Sequence, residues 1–253
     1  MVTSRSELEA CGWSVPEDFL DGLSDYERDF IRLEFTGRRT HQYYLDRLRY
    51  LDFCGMERVL DAGCGMGQWS VALAAHNALV FGVDLNAGRL ALAKRLAAAM
   101  GCGNTAFQRA RLEALPYPAK TFDGIFCYGV FMFTYMPRTL VEFARILKPG
   151  GKLYVNANSF GWYIHLLRDV PWNRRPALGI IKNTLLRRKQ AIIVSERWLR
   201  ARLDEHGFDV VAVDSEGDVS FSEHPSPPQP EPGYQRRYLG VRAIIEAAAL
   251  RRA

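Results

Sequence analysis

The stretch over residues 59–69, Val-Leu-Asp-Ala-Gly-Cys-Gly-Met-Gly-Gln-Trp, constrains the fold more than any other part of the chain. An apolar run ends at an acid, and three glycines follow at alternate positions, Gly63, Gly65 and Gly67. Apolar-periodic sequence resumes from Trp69. This order predicts a buried parallel strand, a tight turn and a helix start. Glycine lets the backbone take positive φ and brings N–H groups close to a ligand. The spacing is G-x-G-x-G, with Gln68 where a dinucleotide-binding fingerprint would place its third glycine. Pyrophosphate binding is disfavoured on that ground.

Residues 78–84, Ala-Leu-Val-Phe-Gly-Val-Asp, form a second apolar run ending in an acid, and Asp84 lies 19 residues past Gly65. An acid at a strand end can accept both hydroxyls of a ribose. It can also start the following helix, and the two roles are compatible. Strands are expected near 58–61, 79–84, 105–109, 122–128 and 151–157, and helices near 67–76, 87–100 and 138–147. Such alternation implies right-handed crossovers and a parallel sheet. Ligands bind at the carboxyl ends of such strands, where the glycine loop and Asp84 both fall. Residues 1–23 read as irregular. Residues 24–53 read as mainly helical, with Phe30, Leu33, Tyr44, Leu48 and Leu51 at three-to-four spacing and a break near Gly37. Ser195 is an expected helix N-cap, 208–214 a sixth strand, and 215–233 a loop rich in Pro, Ser and Glu. Residues 234–245 are expected to carry a last strand, and the Ala-rich tail reads as helical.

The glycine loop resembles motif I of the class I S-adenosylmethionine-dependent methyltransferases. Glu113-Ala114-Leu115-Pro116, the run from Thr121 to Tyr128, and Arg145-Ile146-Leu147-Lys148-Pro149-Gly150-Gly151 are similar to later segments of the ubiquinone- and menaquinone-biosynthesis type. The resemblance is firm over 55–160 and looser over 195–245. It implies an α/β, doubly wound, mostly parallel seven-stranded sheet of the Rossmann-like kind. It also implies a helical cap over 1–53, a helical substrate lid over 158–195, and S-adenosyl-L-methionine as cofactor. The cofactor residues it implies are Asp61, Gly63, Cys64, Gly65, Gln68, Trp69, Asp84, Leu85, Arg111, Leu112, Glu113, Tyr128 and Tyr44. One position departs from the pattern. The subfamily has Asp-Ala before Glu113, and the Asp accepts from the adenine amino group; here Arg111 and Leu112 stand there. Arginine accepts no hydrogen bond, so adenine must be held by the backbone near Leu112, by Glu113, or by stacking of Arg111.

With 253 residues and 48% apolar composition, a single domain with a full core is expected. No run reaches the length of a membrane span. Glu7, Glu9, Glu17 and Asp18 near the start do not read as a secretory leader, so a cytoplasmic protein is expected. The five cysteines show no CxxC pair and no metal spacing; they read as reduced, and no metal is expected. The net charge of +5 has a local origin. Residues 168–202 hold ten Lys and Arg against Asp169 and Glu196. That run reads as a solvated helix face, or as a grip on an anionic substrate, an acidic carrier or a membrane surface. Its few interleaved aromatics disfavour nucleic acid.

Candidate chemistry follows. His165 is the leading base candidate; in a helix it would share a face with Trp162, Leu166 and Asp169. His41 sits beside Tyr43 and Tyr44, and His224 lies in the proline-rich loop. Tyr128 ends the fourth strand, which in the resemblance abuts the methyl group. Phe131-Met132-Phe133 reads as core. Trp162, Tyr163, His165, Arg187 and Arg188 are the expected substrate contacts. No Asn/Asp-Pro-Pro motif or Pro-Cys follows strand four, which disfavours nucleobase methylation. The expected acceptor is a small, glycan or carrier-borne intermediate, polar or anionic, with O-methylation ahead of N-methylation. An RNA or protein methyltransferase and a non-catalytic cofactor-binding protein remain as alternatives.

Overall fold

The computed structural model describes residues 4–169, 174–186, 193–223, 237–238 and 240–253. Strand β1 (Arg58–Ala62) leads through α4 (Gln68–His76) to β2 (Leu79–Asp84), and α5 (Ala87–Ala99) leads to β3 (Thr105–Arg109). Next come β4 (Phe122–Cys127), α6 (Met136–Ile146) and the long β5 (Leu147–Asn158). The second half adds α7 (Phe160–Asp169), α8 (Arg174–Leu185), α9 (Glu196–Glu205), β6 (Phe208–Ser215), a small hairpin of β7 (Arg237–Tyr238) and β8 (Val241–Arg242), and β9 (Ile244–Arg251). The main sheet has seven strands in the order β3-β2-β1-β4-β5-β9-β6. Its first five strands pair in parallel, while β9 runs antiparallel between β5 and β6. The order reverses between β1 and β4, and that is where an open α/β sheet forms a crevice.

Strand residues alternate between two cores, as period-two geometry requires. Val59, Val80, Phe126 and Tyr154 face one core with residues of α4 and α5. Leu60, Val83, Ile125 and Leu153 face the other with residues of α6 and α9. Burial of the central strands on both faces accounts for their near-continuous apolar runs.

An N-terminal layer packs on the first core: α1 (Arg5–Ala10), α2 (Asp25–Phe35) and α3 (His41–Leu51). Ser4 and Glu7 form a reciprocal capping box at α1, so the expected irregular start is partly helical. Ser24 and Glu27 repeat the device at α2. The Ala-rich tail also departs from expectation. Residues 244–251 are the inserted strand β9, with Ala247, Ala248 and Ala249 fully buried. Alanine's helix propensity is a weak preference that tertiary pairing overrides, and here ladders on both edges and cores on both faces decide. The segment after β5 is helical, and α7 packs on α8. Pro171, Trp172, Asn173, Arg187, Arg188, Lys189 and His224 lie outside the described residues.

Candidate active site

The chain leaves β1 into the glycine loop, and the N–H groups of Gly63 and Cys64 both donate to Val83 O, at 2.8 and 2.9 Å. Two of its glycines are required for different reasons. A Cβ on Gly63, at φ +84°, would lie 2.3 Å from Val130 Cγ1. A Cβ on Gly65, at φ +54°, would meet nothing within 4 Å, so Gly65 faces open space at the cleft. The half-buried Asp84 carboxylate joins strand end to loop. Its Oδ2 accepts from Gly65 N at 3.1 Å and its Oδ1 from Asn86 N at 2.8 Å. Asn86 in turn caps α5 through Arg89 N.

A cleft of about 640 Å³ opens over these strand ends. Of the expected cofactor residues, Gly63, Cys64, Gly65, Gln68, Trp69, Asp84, Leu85, Arg111, Leu112, Glu113 and Tyr128 line it. Burial pushes the Cys64 thiol well above its ordinary value, and the Asp61 and Asp84 charges add to this. Arg111 is exposed and lies 3.6 Å from Glu113, whose carboxylate accepts from Tyr135 N at 3.0 Å. Gln68 and Trp69 are buried, and Gln68 Oε1 and Trp69 Nε1 have no partner among the described residues. The Tyr128 ring forms part of the wall while its hydroxyl points away, donating to Glu216 and lying 3.1 Å from Arg39 Nη2. Burial holds that phenol well above its ordinary value, with Arg39 opposing, so it is a poor base.

Other expected residues lie off the wall. Asp61 is buried beneath the loop, accepting from Ser70 Oγ at 2.5 Å. Desolvation pushes its carboxyl up to about 7, with the Ser70 bond opposing and the Asp84 charge adding. Tyr44 is fully buried, edge-on to Trp69 at 4.5 Å, and donates to Glu34 O and Oε2 at 2.7 and 2.9 Å. It reaches the cleft through its neighbours Glu34 and Trp69, which line it. His41 packs on Trp13 at 5.0 Å at the start of α3, and burial lowers its pKa. His165 pairs with Asp169 one turn on, 3.2 Å away, and stands 5.4 Å from the Trp162 ring. Trp162 lines the cleft; Tyr163, one position on, is buried against the body of the protein. In the Phe131-Met132-Phe133 stripe, Phe131 and Met132 belong to the second core as expected, Met132 also reaching the cleft wall, while the exposed Phe133 lines the cleft.

Sequence reasoning missed Tyr26, Phe30 and Glu34 on α2, Asn156 and Asn158 at the end of β5, and Ile244 at the start of β9. Asn156 and Asn158 carried the signal used for Asp84, a polar residue ending an apolar strand. Glu34 carried none, because its approach depends on how α2 lies over the loop. Glu34, Arg39, Tyr128 and Glu216 form one charged cluster, with Arg39 3.6 Å from each carboxylate.

The basic run is partly committed elsewhere. Arg174 donates to Leu167 O and Arg168 O at the end of α7, Arg200 pairs with Glu196, and Arg202 with Glu205. Among the described residues no three His, Cys, Asp or Glu side chains gather as a metal site would. None of the described helices is long and apolar enough to cross a membrane.

A doubly wound sheet, a glycine loop after β1 and an acid ending β2 define a nucleoside-binding α/β protein of the class I methyltransferase type. Residues 59–151 match the methyltransferase domain family. The chain is 30% identical over 161 residues to a ubiquinone biosynthesis O-methyltransferase of Coxiella burnetii, covering 61% of this chain and 68% of that protein. It is 38% identical over 119 residues to a ubiquinone/menaquinone biosynthesis C-methyltransferase of Syntrophotalea carbinolica, covering 45% and 49% of the two. Among solved structures, geranyl diphosphate methyltransferase in complex with its cofactor superposes with TM-score 0.62 at 17% identity, over 94% of this chain and 96% of that one. The [4+2]-cyclase SpnF gives TM-score 0.59 at 18% identity, over 88% and 85%. At such identities these last two show the fold alone. The chain belongs to the class I S-adenosyl-L-methionine-dependent methyltransferases, with that molecule as cofactor.

Proposed function

We propose that this methyltransferase acts on an oxygen of a small, largely apolar acceptor held in the cleft beyond the ends of β4 and β5. One observation carries the reading: Val130, Met132, Phe133, Trp162 and Ile244 make an apolar wall there, interrupted by the polar Thr134, Asn156 and Asn158. The O-methyltransferase relative supports oxygen as acceptor atom; the C-methyltransferase relative makes carbon the competing choice.

The other half of the cleft suits the cofactor. Asp84 would take the ribose hydroxyls, and Leu85, Arg111 and Leu112 would enclose the adenine. The unpartnered Gln68 Oε1 and the Glu34 carboxylate would accept from an α-ammonium, and Trp69 Nε1 would donate to a carboxylate. When bound, the cofactor supplies an electrophilic methyl group on a sulfonium. The protein's own residues align the acceptor and exclude water, and positioning of this kind can lower a barrier by roughly 7–11 kcal/mol. In this reading α7 and α8 form the lid.

The test is transfer of label from methyl-tritiated cofactor to a panel of a catechol, a monosaccharide and an acidic sugar. Label on the catechol alone supports the apolar reading. Label on the acidic sugar alone would restore the anionic acceptor gripped by the basic run, which the local pairing of Arg174, Arg200 and Arg202 argues against.

A further inference from the structure

Asn156 lies near the end of β5, two residues before Asn158, which also lines the cleft. Its side chain is 2% exposed, yet it lines the cleft. Its orientation is set by a backbone donor: Gly129 N–H, just past β4, bonds Asn156 Oδ1 at 2.6 Å. An N–H requires an oxygen opposite it, so the amide cannot be flipped. The NH₂ group is then left for the cleft, and it has no hydrogen-bond partner among the described residues. That amide donor opens on the cleft, where a ligand oxygen can accept from it.

The surrounding charges permit an anion there. Asn156 faces Glu246 across the β5–β9 ladder, and Tyr154 lies two residues back on the same face. The buried Glu246 carboxylate is held by Arg47, by the Tyr154 hydroxyl and by Gly217 N. Glu216 and the Tyr128 hydroxyl, near the end of β4, are bound together beside Arg39. Glu246 is thus paired with Arg47, while Glu216 and the cleft-lining Glu34 share Arg39.

Resting on the proposed methyl transfer to oxygen, we propose that Asn156 is the specificity-determining residue for the acceptor: its amide NH₂ donates to the acceptor oxygen and stabilises it as an oxyanion. The acceptor's O–H bond breaks with the electron pair staying on oxygen, and the proton passes to bulk solvent as the acceptor enters the cleft. Preorganised donors stabilise such charge well in a water-poor site. The ligand class this selects is a phenol or enol, whose oxyanion is accessible near neutral pH. An aliphatic alcohol or an amine is disfavoured.

The probe is 4-nitrophenol, whose ionisation is followed by absorbance in the presence of S-adenosylhomocysteine, so that no turnover is needed. A hydrogen bond to a charged group is worth about 1.5–3 kcal/mol, which corresponds to about one to two pH units. The wild-type protein should lower the ionisation pH of the bound phenol by that amount. Asn156→Ala should abolish the shift, and Asn156→Asp, which keeps an oxygen for Gly129, should reverse its sign. Circular dichroism checks that each variant is folded, and either variant alone decides the question. Failure of 4-nitrophenol to bind the wild type at millimolar concentration, or a shift that survives in Asn156→Ala, overturns the proposal. Methyl transfer to catechol with no phenol shift would sink this inference and leave the proposed function standing. A clear shift with no methyl transfer to any acceptor would do the opposite.

Discussion

The carboxylate of Asp84 accepts a hydrogen bond from the backbone N–H of Gly65, with Oδ2 3.1 Å from N. The acid that ends β2 therefore also braces the loop that follows β1. The two features that the sequence presents 19 residues apart are one physical unit, and disturbing either should be felt at the other.

Asp84→Ala should weaken cofactor binding about 10- to 100-fold, from loss of charged hydrogen bonds worth about 1.5–3 kcal/mol. Titration calorimetry with S-adenosylhomocysteine reads this directly. An unchanged affinity would remove Asp84 from the cofactor site.

Substitutions at Gly63 and Gly65 should separate folding from binding. Gly63→Ala drives a methyl group into Val130 and should lower stability by about 1–3 kcal/mol, the usual cost of overpacking. Gly65→Val has room on the cleft side but must adopt positive φ, which a β-branched residue resists. It should still fold, melting somewhat below the wild type because of that strain, and yet fail to bind the cofactor. Thermal melts with and without cofactor distinguish the two cases.

The Asp61 carboxyl is raised from 3.8 to about 7 by desolvation. The folded state therefore holds this proton more tightly than the unfolded chain. Its ionisation removes stability progressively as pH rises across that interval, and the loss is complete above the folded value. Asp61→Asn keeps an acceptor for Ser70 and should gain on the wild type by up to a few kcal/mol above neutrality. Urea denaturation across pH 4 to 8 checks this; parallel curves for the two proteins would show that Asp61 is not the titrating group.

Arg47 and Glu246 form a buried ion pair between α3 and β9. Arg47→Met would strand the carboxylate, and breaking one side of such a pair costs about 3–5 kcal/mol. Adding Glu246→Gln should recover part of that loss. No recovery in the double variant would mean that packing by the Arg47 stem, rather than charge, is what was lost.

His165→Ala is expected to leave kcat within about threefold, because the ring is paired with Asp169 away from the cleft wall. A general base would contribute about 10²–10⁴-fold. A loss of that size, with recovery at high pH, would return His165 to the chemistry.

The sequence by itself determined the parts written in contiguous residues. The order of strands and helices, the positive-φ loop and the acid at the end of β2 follow from local periodicity and turn chemistry, and they place half of the cleft. The rest required convergence across the chain. Glu34, Asn156 and Ile244 meet at one cleft although they are far apart in sequence, because the crossovers bring the ends of α2, β5 and β9 to the same edge of the sheet. His41 and Tyr44 stood as candidate ligands, but the helical phase of α3 turned them into the packing against Trp13 and Trp69. The Ala-rich tail has helical propensity in isolation, and only the vacant slot between β5 and β6 made it a strand. Local preference is worth tenths of a kcal/mol per residue, roughly 0.7 at most for ordinary residues; pairing and burial on both faces outweigh it, and they exist only once the fold does.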